Sequence, residues 1–225
     1  MRILLFGATG MVGQGVLREC LRAPDVGYVQ TVGRTPVGQL DLKLHDLVHR
    51  DLTDYRSIEA SLRDFDACFF CLGVSSAGMS EADYTRLTYD VTLAAAATLA
   101  HLNPQMTFVY VSGAGTDSTE HGRSMWARVK GKTENALQRL PFKAVYLFRP
   151  GVIQPLHGAR SKTRVYRVFY ALAKPLLTPL RMLFPNQVLT TEDIGRAMLE
   201  VARDGADQTI LETRDIRAVC RRAAG

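Results

Sequence analysis

The first fifteen residues, MRILLFGATGMVGQG, constrain this chain more than any other stretch. Ile3, Leu4, Leu5 and Phe6 form an unbroken apolar run, the pattern of a strand covered on both faces in a parallel sheet. Gly7, Gly10 and Gly13 follow, and then a helical pattern through Val16, Leu17 and Leu21. A strand that turns at once into a helix needs a residue tolerant of positive φ, which Gly7 supplies. Gly10 lets the backbone approach a pyrophosphate with no Cβ in the way, and Gly13 lets the helix lie close on its strand. Free N–H groups at the helix start attract phosphate. The turn Gly7-Ala8-Thr9-Gly10 and the helix start Met11-Val12-Gly13 are therefore expected to hold a nucleotide.

A chain of 225 residues suits one large domain with ample core. Its 47% hydrophobic and 22% charged residues are ordinary for a globular protein, which argues against a disordered or fibrous chain. No uncharged apolar run of about 18 residues occurs, so a membrane-spanning helix is not expected. The first strand follows Met1 directly, which leaves no room for a signal peptide. Cys68 and Cys71 spell C-x-x-C inside DACFFCLG. That stretch reads as a buried strand, where residues three apart point to opposite faces. Buried reduced thiols are expected there, with no metal site, and a reducing cytoplasm as the location.

The strand and helix patterns alternate, as in βαβ units. Strands are expected at about Tyr28–Val32, Leu47–Arg50, Ala67–Leu72, Thr107–Val111 and Ala144–Phe148. Helices are expected at Met11–Leu21, Ser57–Phe65, Ser80–His101 and Trp126–Leu140. Right-handed crossovers build these into a doubly wound α/β sheet with helices on both faces. Ligands of such sheets lie beyond the carboxyl ends of the strands. Arg34, Asp51-Leu52, Cys71-Leu72-Gly73, Ser112 and Pro150-Gly151-Val152 all stand at such ends. An acidic residue after the second strand would bind a ribose 2′-hydroxyl, whereas an Arg accommodates a 2′-phosphate. No Asp or Glu lies between Gln30 and Leu40, and Arg34 does, so NADP(H) is favoured over NAD(H). Asp51-Leu52 is placed to touch the adenine, although Asp51 serves equally well as a turn or cap residue.

The stretches GATGMVG, VGRTP, DACFFCLG, VYVSGAG, RVKGKTENAL, FRPGV and ILETRDIR, in this order over most of residues 1 to 215, resemble the short-chain dehydrogenase/reductase superfamily. Within it they resemble the atypical members that include the Tat-interacting-protein-like oxidoreductases. The resemblance implies a Rossmann-like fold and hydride exchange between a nicotinamide and a small carbonyl or alcohol, or related epimerase or dehydratase chemistry. It implies Ser112 as the hydroxyl that polarises the reacting oxygen and Lys130 as the lysine that binds the nicotinamide ribose. It also lays Pro150-Gly151-Val152 along the nicotinamide. The superfamily's proton-transferring tyrosine precedes its lysine by four residues, and here that position is Trp126. An indole N–H is a donor only and cannot act as a general acid-base near pH 7. Tyr84 and Tyr89 are the nearest substitutes. Trp126 therefore supports a competing reading, a nucleotide-sensing binding module that acts through a protein or membrane-surface partner.

The net charge of +6 is uneven. No acidic residue occurs between Glu134 and Glu192, where nine Lys or Arg do. Arg160, Arg167, Lys174 and Arg181 recur every seven residues among Leu, Val, Phe and Tyr, with Pro175 and Pro179 interrupting. The expectation is a lid of two short helices over a small substrate region, residues 151–190, within the single domain. Weak contact with an anionic membrane surface is the lesser reading. Nucleic acid is not expected as a partner. Pairing of two copies through the helices after strands four and five is what related folds suggest.

Overall fold

The computed structural model describes residues 1–159 and 187–222, and the basic stretch with Arg160, Arg167, Lys174 and Arg181 lies outside the described residues. In chain order the elements are β1 (Arg2–Phe6), α1 (Met11–Arg22), β2 (Tyr28–Gly33) and β3 (Leu44–Val48). A 3₁₀ segment, Arg56–Leu62, leads to β4 (Ala67–Phe70). Then α2 (Glu81–Thr85) runs through a π-helical turn, Arg86–Asp90, into α3 (Val91–Leu102). They are followed by β5 (Thr107–Val111), α4 (Met125–Leu137), β6 (Ala144–Arg149) and β7 (Val152–Gln154). Past the undescribed stretch come β8 (Val188–Thr190), α5 (Thr191–Arg203), β9 (Ile210–Glu212) and α6 (Thr213–Arg222).

Seven strands form one sheet in the order β3-β2-β1-β4-β5-β6-β9, with every neighbouring pair parallel. The fold is Rossmann-like α/β. The unbroken apolar run of β1 has its explanation in this placement, because β1 is central and both its faces are covered. Ile3 and Leu5 enter the core under α1, α5 and α6. Leu4 and Phe6 enter the core under α3 and α4, where Phe6 stacks on Phe70 at 5.1 Å. Burying each such side chain contributes about 1.5–3 kcal/mol. Cys68 lies in the second core and Cys71 packs against the first, on opposite sides of the sheet, and both are free thiols.

The strand order reverses between β1 and β4, where two crossovers leave in opposite directions and open a crevice at the carboxyl ends. Two departures from the sequence expectation bear on that crevice. The strand β3 begins at Leu44 rather than Leu47, because it is an edge strand whose half-exposed residues, including His45 and Asp46, carry no apolar signal. The C-terminal part, expected as a small substrate region, contributes to the main fold. A small parallel pair, β7 with β8, leads into α5, which packs back on α1, and β9 completes the main sheet beside β6. Helix α5 opens with a capping box, in which Thr190 accepts from the Asp193 N–H at 2.9 Å and Asp193 accepts from the Thr190 N–H at 2.8 Å. It meets α1 at glycines. A Cβ on Gly195 would stand 3.1 Å from Val16 Cα, and one on Gly15 would stand 2.9 Å from the Thr191 carbonyl carbon.

Candidate functional site

The turn between β1 and α1 is built by backbone needs. Gly7 has φ +77°, and a Cβ there would lie 2.6 Å from the carbonyl carbon of Cys71 at the end of β4. The Gly10 N–H donates to the Gly7 carbonyl at 2.9 Å, and a Cβ on Gly13 would press into that same carbonyl. Gly10 caps α1 with no side chain, and no acidic residue stands in the first turn. The orphan N–H groups of that turn are thus left for an external anion. Gln14 Nε2 holds the loop by donating to the Thr9 carbonyl at 3.0 Å.

A cleft of about 320 Å³ lies against this turn. Gly7, Ala8 and Thr9 form one wall, Gly33, Arg34 and Thr35 another, and Leu52 and Leu72 add apolar surface. Arg34 is exposed at the cleft and makes no ion pair among the described residues. The nearby acid Asp46 is committed elsewhere, since it accepts from the Thr31 hydroxyl and from the Val37 N–H. Asp51 is committed too. Its carboxylate accepts from Thr53 N–H at 2.9 Å and Thr53 Oγ1 at 2.6 Å, and these bonds hold it below the usual carboxylate range. Of the pair expected near the adenine, Leu52 lines the cleft and Asp51 closes a turn. Gly73, beside Leu72, faces open space.

The other expected residues gather at the ends of β5 and β6. Ser112 Oγ donates to Glu134 Oε1 at 2.5 Å, with the Phe148 carbonyl at 3.1 Å. Glu134 has no exposure, and the 9% exposed Arg149 grips its carboxylate through Nε and Nη2. Arg149 Nη2 also donates to Ser118 Oγ at 2.6 Å, and Nη1 reaches Glu212 at 3.4 Å. These bonds hold the guanidinium charged, its pKa raised further. Lys130, one turn before Glu134 on α4, donates to the Ser112 carbonyl at 2.8 Å and lies 3.4 Å from that of Val111. Burial pushes its pKa down to about 8, against the opposing pull of Glu134.

Trp126 packs over the turn after β5, where a Cβ on Gly115 would touch its ring at 3.6 Å. Tyr84 is buried, and Tyr89 lies under the Lys132 ammonium at 4.7 Å from the ring centre. The turn at Pro150-Gly151-Val152 is tied down on both sides. The Pro150 carbonyl accepts from Ala114 N–H at 2.9 Å, and Gly151 N–H donates to Thr213 Oγ1 at 2.8 Å. Val152 is 42% exposed. Sequence reasoning missed Glu134, Arg149 and Thr213. The signal for the first was present, an acid spaced one turn from Lys130 on the same helix face.

The pattern of the NAD dependent epimerase/dehydratase family matches residues 3–124. The chain is 29% identical to "Protein fmp52, mitochondrial" of Emericella nidulans, over 72% of this chain and 70% of that one. It is 25% identical to "Protein HTATIP2" of Rattus norvegicus, over 67% of this chain and 62% of that one. Among solved structures, the Bordetella bronchiseptica enzyme WbmF in complex with NAD⁺ superposes with a TM-score of 0.68 at 15% identity, covering 99% of this chain and 77% of that one. The fungal relatives correct the expected location. Fmp52 of Emericella nidulans and three further fungal relatives are named mitochondrial, which overturns the cytoplasmic expectation. The physical reason is that Cys20, Cys68 and Cys220 are buried. Thiols shielded from oxidant stay reduced in any compartment and do not report on it.

Proposed function

Because this chain belongs to the NAD dependent epimerase/dehydratase family, we propose that it binds NADP(H) in preference to NAD(H) and exchanges hydride between the nicotinamide and a small carbonyl or alcohol. The observation that carries this reading is the cleft that the turn Gly7-Ala8-Thr9, which leads into the bare N-terminus of α1, shares with Arg34. Gly7 and Gly13 let this turn close tightly on Cys71 and on itself, the compact glycine turn that suits a pyrophosphate held by backbone N–H groups. The bound cofactor would supply or accept the hydride. The residues from Gly7 to Gly13 would hold its phosphates, Arg34 the 2′-phosphate, and Leu52 and Leu72 the adenine side. Lys130 would stand beside the nicotinamide, and Val152 would hold the carboxamide through its backbone. With its proton directed at Glu134, Ser112 would accept a hydrogen bond from a substrate hydroxyl rather than donate one.

Calorimetric titration tests the cofactor half of the proposal. A guanidinium on a phosphate contributes about 1.5–3 kcal/mol through charged hydrogen bonds. NADPH should therefore bind more tightly than NADH, and Arg34→Ala should remove most of the difference while leaving NADH binding nearly unchanged. Equal affinities in the wild type refute it. The Trp126 ring over Gly115 favours a second reading, a binding module that senses the cofactor without turnover. Cofactor binding with no hydride exchange across a panel of aldehydes and alcohols would favour that reading.

A further inference from the structure

We propose that Lys130 is itself the proton donor and acceptor of the hydride-transfer site, in the place where a tyrosine would otherwise act. This rests on the oxidoreductase reading above. The carboxyl ends of β4, β5 and β6 bring Cys71, Ser112, Lys130, Glu134 and Arg149 together. Four are disqualified by their surroundings. Burial pushes the Cys71 thiol far above its ordinary range, so it stays protonated. Ser112 has one proton, and Glu134 takes it at 2.5 Å. Glu134 and Arg149 hold one another as a buried pair. Trp126, over the same turn, has an indole proton that is not given up near pH 7.

Lys130 remains, and its geometry suits a proton that comes and goes. Its Nζ lies 2.8 Å from the Ser112 carbonyl and 3.4 Å from the Val111 carbonyl. An ammonium has three protons, and two of them are directed at these oxygens. Loss of the third leaves both bonds intact and a lone pair in its place, so the side chain need not move between its two forms. Burial brings the change of charge to about pH 8. The other groups that face it are few. Glu134 is one turn along α4 with its charge shared by Arg149 from β6. The Tyr110 ring of β5 is 5.5 Å away, and burial together with Tyr84 of α2 keeps its phenol neutral.

In the reducing direction Lys130 would give its third proton to the substrate oxygen as the carbonyl carbon gains hydride, which the bound cofactor would supply. The C=O π pair would become the new O–H bond, and the neutral amine would regain a proton from water. In the oxidising direction the neutral amine would take the hydroxyl proton as the C–H pair leaves as hydride, with the cofactor as acceptor. Reduction is then favoured below about pH 8 and oxidation above it.

Proton counting tests this without a substrate. Calorimetry at pH 8, in buffers of different ionisation enthalpy, gives the protons released as NADP⁺ or NADPH binds. The oxidised ring has a positive charge that the reduced ring lacks, and a like charge beside an ammonium favours its neutral form. Lys130 is about half protonated at pH 8, so NADP⁺ should release up to about half a proton more than NADPH does. The difference should vanish in Lys130→Met. It should also vanish in Lys130→Arg, which keeps a cation in place but cannot lose its proton. Equal release by the wild type, or a difference that survives in Lys130→Arg, overturns the proposal. A wild type that binds neither cofactor overturns the oxidoreductase reading and this proposal with it, so the two failures are distinguishable.

Discussion

Arg149 and Glu134 form the most consequential pair of side chains in this molecule, because both are buried and each satisfies the other. Removing one partner leaves an uncompensated charge in the core, which typically costs about 3–5 kcal/mol. Glu134→Ala should therefore lower stability by about that much in urea denaturation, and it should free the Ser112 hydroxyl as well. A loss under about 1 kcal/mol would mean that Glu212 or water takes over the Arg149 charge. Trp126 is the other decisive residue. Trp126→Tyr puts a phenol one turn before Lys130, and a positioned acid-base group contributes about 10²- to 10⁴-fold. With Lys130 already the proton donor, turnover of a small aldehyde should change by less than about 10-fold in that variant. A rise on the order of 10²-fold or more would show that a proton donor was missing and would count against Lys130.

Helix α5 shows how a short element can be specified by its first four residues. Thr190 and Asp193 satisfy two of its orphan N–H groups reciprocally, and Thr190→Ala should lower the melting transition by the equivalent of about 1 kcal/mol. Gly195→Ala should cost about 1–3 kcal/mol, because its new methyl meets Glu19 and the backbone of α1 at Val16. Calorimetric melting of both variants checks these values. The elements were legible in the sequence where their signal is local. The apolar run of β1, the glycine turn and the run VYVSG state their own structure, and α4 is placed to within three residues at its C-terminal end. Helix α5 was legible in principle, through its cap and through Ile194, Ala197, Met198 and Val201 on one face, but a sequence reading centred on the nearby basic stretch passed over it. The edge strand β3 was misplaced because edge residues face water. The direction of the Ser112 proton could not be read at all. It depends on Glu134, 22 positions away, and that distance in sequence has no periodicity.

For the molecule as a whole, Lys130 sets a distinct dependence of stability on pH. Its folded pKa of about 8 lies below the value of about 10.4 expected in the unfolded chain. Below pH 8 both states hold the proton and the difference is constant. Between about pH 8 and 10 the folded state has released it and the unfolded state has not, so this group's contribution to stability rises with pH. The buried thiols act oppositely in that range. The comparison is therefore wild type minus Lys130→Met in urea, a difference that should grow by a few kcal/mol, on that order, from pH 8 to 10. A flat difference would show that Lys130 titrates normally. The packing of α5 on α1 has a consequence in time. Arg196 pairs with Glu19 at 3.3 Å, and Arg203 with Asp25 at 2.6 Å, across 177 and 178 positions. On a ribosome adding about 5–20 residues each second, α1 emerges roughly ten seconds or more before its partner exists. Throughout that wait the flank of Val16, Leu17 and Cys20 is open to whatever else is nascent. A transcript cut short before α5 would yield a sticky product, one that chaperones and proteases meet before any nucleotide does.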